Sequence, residues 1–317
     1  MKVVSNPSNQ NIKSAARALI EGQLVVFPTE TVYGLGGNAE NVQAIEKIYI
    51  AKGRPINHPI IVHISSSTHL SDWAINIPEY AFTLAEKFWP GPMTLILERS
   101  EKAKDFITGG QKTVGVRVPN HIVALDLLRE FNEIGGRGIA APSANLFGKV
   151  SPTTTEAVTD AIGSKLSDQD WILDGGNCKI GIESTIICCL SAKPYILRPG
   201  AVTEEMIKAI VQLEINTETE VKHSGSGDNH YAPIAQVFLD EIPNIGDGFF
   251  ALSEIPTPLG AVRLASPKNL NDFAFELYEA FRLADKKGID KIFVMSPPRI
   301  GLGIAIYDRL DKSRYKN

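Results

Sequence analysis

The chain has 317 residues, 44% of them hydrophobic, with 32 Lys and Arg against 36 Asp and Glu and a formal net charge of -4. That length and apolar share can bury at least one full core and argue for two domains. The acidic balance falls well short of the strongly basic signature of a protein that lives on a phosphate backbone, so stable nucleic-acid binding is not expected. The start, "MKVVSNPSNQNIKSAARALIEG", lacks the apolar core of a signal peptide, and no run of about 18 apolar residues occurs, which points to a cytoplasmic protein without a membrane span. Cys178, Cys188 and Cys189 show no C-x-x-C spacing and read as small buried apolar residues.

Along the chain, residues 10–21, "QNIKSAARALIE", place Ile12, Ala15, Ala16 and Leu19 at helical spacing, with Gly22 as a stop. Strands are predicted at "QLVVF", "PIIVHI", "MTLILE", "TVGVRV", "GIAAPS", "WILD", "STIICC" and "YILR", and helices near 41–50, 78–88, 121–133, 153–162 and 203–213. This alternation implies an α/β architecture with a mixed sheet for residues 1–213. The polar, glycine-rich run at 214–233 reads as a linker. From 234 to 317, strands at "AQVFL", "GFFAL", "AVRLA" and "KIFVM", with helices near 269–287 and 301–312, describe a smaller α/β domain.

Four polar clusters stand at strand or helix ends. In "FPTETVYGLGG", Thr29, Thr31 and Tyr33 offer hydroxyls and the glycines let a ligand approach the backbone; the plain alternative is a tight strand-to-helix turn. In "AKGRPINHP", Lys52 and Arg54 are fixed by Gly53 and Pro55 in a geometry suited to anionic oxygens, though cations at a helix end also simply favour the macrodipole. "APSANLFGKVSPTT" supplies Ser143, Asn145 and Ser151, the last of which could equally cap the helix near 153. "GIESTII" and "ILRPG" add Ser184, Thr185 and Arg198, while Arg117 lies within a strand. With no placed nucleophile and no P-loop, the inventory fits an anion-binding cleft in which phosphoryl or nucleotidyl transfer runs on positioning and charge stabilisation.

Taken in order, "FPTETVYGLG", "AKGRP", "FWPGPMTLIL", "VGVRVP", "APSAN", "ILDGG", "GIESTII" and "LRPG" resemble the YrdC-like threonylcarbamoyl-AMP synthases, and "HYAP" with the segment after it resembles the long, two-domain form. The resemblance implies a YrdC-like twisted mixed sheet followed by a linker and a small Rossmann-like domain. It also implies synthesis of threonylcarbamoyl-AMP and pyrophosphate from L-threonine, bicarbonate and ATP, with Mg2+ held mainly by phosphates, and a product passed to a tRNA threonylcarbamoyltransferase. By the same resemblance Lys52, Arg54, Ser143 and Asn145 hold the phosphates and the carbamate as the catalytic tetrad. Thr31, His63, Arg117, Ala141 and Ser184 form the threonine site. Arg54, His58, Thr113, Ser143, Ser151, Arg198, Gly225, His230 and Tyr231 contact ATP, and no side chain is assigned to a metal. Relatives usually carry Asn where this chain has His58, and a basic linker where it has "SGSGDN", which predicts a weaker grip on polyphosphate and a mobile lid ending in His230 and Tyr231. A non-catalytic RNA-binding module is the competing reading, and a hydrogenase-maturation carbamoyltransferase is disfavoured by the missing C-x-x-C motifs and acylphosphatase region.

Overall fold

The computed structural model describes residues 1–214, 221–225 and 230–314. The first part runs β1 (Lys2–Ser5), α1 (Asn9–Ile20), β2 (Val25–Phe27), β3 (Gly34–Asn38), α2 (Val42–Lys52), β4 (Val62–His63), α3 (Leu70–Trp73), α4 (Glu79–Phe88) and β5 (Met93–Glu98). It continues through α5 (Asp105–Thr108), β6 (Thr113–Arg117), α6 (Ile122–Glu133), β7 (Ile139–Ala140), α7 (Thr155–Ile162), β8 (Trp171–Asp174), β9 (Thr185–Cys188), β10 (Tyr195–Arg198) and α8 (Glu204–Lys208). These strands form one mixed sheet in the order β1-β8-β2-β3-β7-β4-β6-β5-β9-β10. The second part holds β11 (Gln236–Leu239), β12 (Gly248–Phe250), β13 (Val262–Ala265), α9 (Leu270–Lys286), β14 (Lys291–Val294) and α10 (Leu302–Ser313). Its four strands lie in the order β11-β14-β12-β13, and every pairing is parallel.

Local chemistry explains the boundaries. Ser8 caps α1 in a reciprocal capping box with Asn11, and the predicted apolar stripe Ile12, Ala15, Ala16 and Leu19 is the buried face. Asn41 caps α2, which stops at Gly53 in the left-handed region (φ 60), so the chain turns sharply between Lys52 and Arg54. The second part shares its core with the first: Val32, Val150 and Ile182 cluster with Tyr231, Phe273, Leu277 and Tyr278.

Several sequence expectations change. The glycine-rich segment after Phe27 does not lead from a strand into a helix: Gly34–Asn38 is itself a strand, antiparallel to β2, so residues 28–33 are the loop of a hairpin. Glycine weakens strand propensity, and here neighbours on both sides, β2 and β7, impose the pairing. The amino-terminal strand β1, parallel to β8, went unread because its four residues alternate only weakly. The helix expected over 203–213 ends at Lys208. Ser151 does not cap α7; Thr154 does. The linker expectation for 214–233 falls partly outside the described residues, since 215–220 and 226–229 are among those not described.

Candidate functional site

The ends of β4 and β6, the hairpin loop at 28–33, the exit of α2, the loop after β7 and the segments around Ser184 and Arg198 converge on one cleft. Residues 224–225 and 230–231 lie across it. Of the residues singled out from sequence, Thr31, Lys52, Arg54, His63, Arg117, Ala141, Ser143, Asn145, Ser151, Ser184, Arg198, Gly225, His230 and Tyr231 all line it. His58 and Thr113 do not. Thr113 opens β6 opposite Glu98. His58 contributes its carbonyl instead, accepting hydrogen bonds from Tyr49 (2.9 Å) and from Arg54 Nε (3.4 Å).

At one end, Thr29 and Thr31 share a hydroxyl hydrogen bond (2.8 Å), and Arg117 Nη2 donates to Thr31 Oγ1 (3.0 Å). The same nitrogen lies 2.7 Å from Glu30 Oε1, a buried ion pair that fixes the guanidinium at the end of β6. Glu30 also accepts from the Asn120 backbone N–H. His63 is buried nearby with its Nδ1 unpartnered among the described residues. Burial, reinforced by Arg117, pushes its pKa down to about 3, so the imidazole is neutral. Ser184 Oγ is hydrogen-bonded with Thr94 Oγ1 at 2.8 Å.

In the middle of the cleft, Lys52 reaches from the last turn of α2 and donates to the carbonyls of Ser143 (2.6 Å) and Asn145. Burial and the neighbouring Arg54 lower its pKa well below that of an ordinary ammonium. Burial likewise brings Arg54 down to about 10, while Arg54 Nη2 donates to the Pro59 carbonyl and its guanidinium lies 5.5 Å from the Phe147 ring. Asn145 Nδ2 donates to the carbonyls of Leu146 and Lys149, leaving its Oδ1 buried and unpartnered among the described residues. Two basic groups buried in low dielectric would be favoured in their charged forms by an anion such as a phosphate.

At the far end, Arg198 donates through Nε and Nη2 to the Ser184 carbonyl (3.1 and 2.9 Å) and through Nη1 to the Ser224 carbonyl (2.9 Å). That last bond ties the described part of the linker to the cleft. Gly225 sits at φ +82, and a Cβ there would fall 2.2 Å from Tyr231 Oη, so only glycine lets the tyrosine close over it. Tyr231 stacks on Tyr278 of α9 (6.0 Å), and the His230 backbone N–H donates to the Lys312 carbonyl of α10. His230 also packs edge-on against Phe147 (5.0 Å).

Sequence reasoning passed over Glu183, although it stands inside the quoted "GIESTII". Among the described residues it is the sole carboxylate lining the cleft, against the basic residues Lys52, Arg54, Arg117, Lys149 and Arg198. Lys149 and Phe147 were missed too; their signal was position in the "APSAN" loop rather than any motif. No cysteine lines the cleft, and no lining hydroxyl is hydrogen-bonded to a histidine among the described residues. Among those residues, no group of three or more His, Cys, Asp or Glu could hold a metal ion, and no helix is long and apolar enough to cross a membrane.

Two family models match the chain in tandem: the Sua5/YciO/YrdC model, described as "Telomere recombination", over residues 17–200, and the threonylcarbamoyl-AMP synthase carboxy-terminal domain over residues 202–314. The threonylcarbamoyl-AMP synthases of Pyrococcus abyssi and Bacillus subtilis are each 39% identical to it, over 95% and 96% of this chain and 93% of either relative. The chain belongs to the threonylcarbamoyl-AMP synthase family. A crystal structure of P. abyssi Sua5 complexed with L-threonine matches with a TM-score of 0.87 at 36% identity, covering 98% of this chain and 96% of that one. Membership makes the chain an enzyme of the nucleotidyltransferase kind, with the mixed sheet and second, smaller sheet expected of the two-domain threonylcarbamoyl-AMP synthases.

Proposed function

We propose that this chain makes L-threonylcarbamoyl-AMP and pyrophosphate from ATP, L-threonine and bicarbonate. The product would then serve a separate transferase that modifies the adenosine beside the anticodon of certain tRNAs. The observation that carries the reading is a cleft lined, among the described residues, by Lys52, Arg54, Arg117, Lys149 and Arg198, with one lining carboxylate, itself neutralised, and no placed nucleophile. Such a site suits a reaction in which a substrate oxygen attacks phosphorus and the protein supplies position and charge.

Arg117, held by Glu30 and Thr31, would pair with the threonine carboxylate, and neutral His63 would add no charge against the amine. The unprotonated amine and bicarbonate give a carbamate and water. A carbamate oxygen then attacks the α-phosphorus of ATP, the bond to the bridging oxygen breaks, and pyrophosphate leaves with its electron pair. Lys52 and Arg54 would stabilise the charge on the phosphoryl oxygens, and Arg198 with Ser151 would orient the nucleotide. His230 and Tyr231 would cover the mixed anhydride and exclude water from it. The Glu183 carboxylate already accepts from Arg309, Tyr278 and Ser151, so Mg2+ would enter on phosphate oxygens and water and supply charge neutralisation to the leaving pyrophosphate. The requirement of pyrophosphate release for both threonine and bicarbonate tests the reading.

A further inference from the structure

Arg309 stands on α10, in the second part of the chain, yet its side chain is fully buried and reaches the back of the cleft without lining it. Its Nε donates to Glu183 Oε2 (2.8 Å), Nη2 to the Glu183 carbonyl (3.2 Å) and Nη1 to the Pro199 carbonyl (3.0 Å). Nη1 also pairs with Asp308 (2.6 Å), and the guanidinium lies 5.4 Å from the Tyr231 ring. Glu183 accepts further hydrogen bonds from Ser151 (2.6 Å) and Tyr278 (2.9 Å). One guanidinium therefore grips two chain segments, Glu183–Ser184 and Arg198–Pro199, that both border the cleft.

The puzzle is Glu183 itself. A carboxylate in a cleft meant for a triphosphate would repel it, and in a water-poor site that repulsion is poorly screened. We infer that Arg309 is a positioning residue of the nucleotide site, which neutralises Glu183 from behind and thereby leaves the cleft's field positive where the phosphates of ATP would lie. The inference rests on the ATP-dependent reading above. Burial pushes the Glu183 carboxyl up in pKa, but Arg309 and Arg198, with hydrogen bonds from Ser151 and Arg309, bring it below the ordinary value, so it stays ionised and the need for neutralisation persists. The guanidinium at the threonine end is anchored separately, since Arg117 pairs with Glu30 and donates to Thr31. Loss of Arg309 should thus fall on the anionic nucleotide and spare the zwitterionic amino acid. An ion pair with a purely structural role would instead weaken both ligands together.

Dissociation constants for Mg-ATP and for L-threonine, measured separately by calorimetry on the full chain with melting as the control for folding, separate the two. R309M is expected to weaken ATP by at least about 30-fold while leaving threonine within about threefold. R309K keeps the charge though not the fork, and should hold ATP within about tenfold. R309M/E183Q removes both charges and should bind ATP far more tightly than R309M. Equal weakening of ATP and threonine in R309M, or a double variant no better than R309M, overturns the role. If R309M does not fold, the other two variants decide: ATP binding kept in both supports the role, and ATP binding lost in R309M/E183Q overturns it. A parent protein that binds threonine but not ATP would overturn the proposed reaction and this role with it, whereas a parent that binds both, with ATP binding unchanged in R309M, overturns the role alone.

Discussion

Lys52 and Arg54 bring two basic groups two positions apart in the chain into near-complete burial, and Gly53 in the left-handed region is what makes the turn between them possible. Burying two such groups is costly, and anionic oxygens from the substrate would offset that cost. Arg54→Ala should leave the fold intact, as judged by melting and circular dichroism, and reduce turnover by at least ~100-fold, the scale of one lost charge-stabilising group. Arg54→Lys should recover little of it, because a point charge does not replace a planar fork. Turnover like the parent's in Arg54→Ala would make Arg54 a loop cation and nothing more. The buried imidazoles set a second expectation. His63 is held neutral with a pKa of about 3, and His223 and His230, both lowered by burial first, sit at about 4. The unfolded chain takes up protons on these groups below about pH 6.5 while the folded chain resists, so their contribution is complete above that value and shrinks as pH falls toward the folded pKa values. At about pH 5, His63 alone should cost about 2 kcal/mol. Urea midpoints should therefore drop between about pH 7.5 and about pH 5; an unchanged or higher midpoint at the lower pH would contradict this. At this scale the sequence showed the residues with unusual chemistry in a loop, such as Lys52, Arg54 and Asn145, because their neighbours were Gly, Pro and Ser. It concealed Glu183 and Arg309, whose roles come from a contact 126 positions apart in the chain.

Among the elements, the strands "MTLILE", "WILD" and "YILR" were legible to the residue, since β-branched and aliphatic runs bounded by turn residues carry their own signal. β3 was not legible: three of its five residues are glycines with no side chain to alternate, and the partners β2 and β7 make it a strand. The segment carrying His230 and Tyr231 belongs between these cases. Its aromatic pair announced more than a tether, but the contacts that seat it come from Phe147, Tyr278 and the carbonyls of Gly148 and Lys312. The expectation of a mobile lid drawn from "SGSGDN" at 224–229 falls largely on 226–229, outside the described residues. Deleting everything beyond 213 would also strip Glu183 of Arg309 and Tyr278, so a point variant is the cleaner probe of the cover. Tyr231→Ala in the full chain should shorten the lifetime of enzyme-bound threonylcarbamoyl-AMP by several-fold while threonine still binds. An unchanged product lifetime, read by following the bound anhydride after a chase of cold ATP, would remove the cover from the account.

Over the whole molecule, the two sheets share a core through Val32, Val150 and Ile182, and α9 and α10 reach the back of the cleft through Tyr278 and Arg309. The α/β class and the position of both sheets along the chain could be read from the alternation of periods, because each layer repeats its own signal. How the second sheet docks could not, since docking depends on residues that look like ordinary helix positions until the partner surface is present. That shared architecture bounds a site rich in cations and poor in nucleophiles, and the central claim is that the attacking group comes from threonine and bicarbonate together. The most direct measurement is pyrophosphate release from ATP by the purified full chain, with threonine and bicarbonate each omitted in turn. Release is expected only when both are present, with Mg2+, and no release should accompany either alone; equal release without threonine, or without bicarbonate in carefully degassed buffer, would contradict the account.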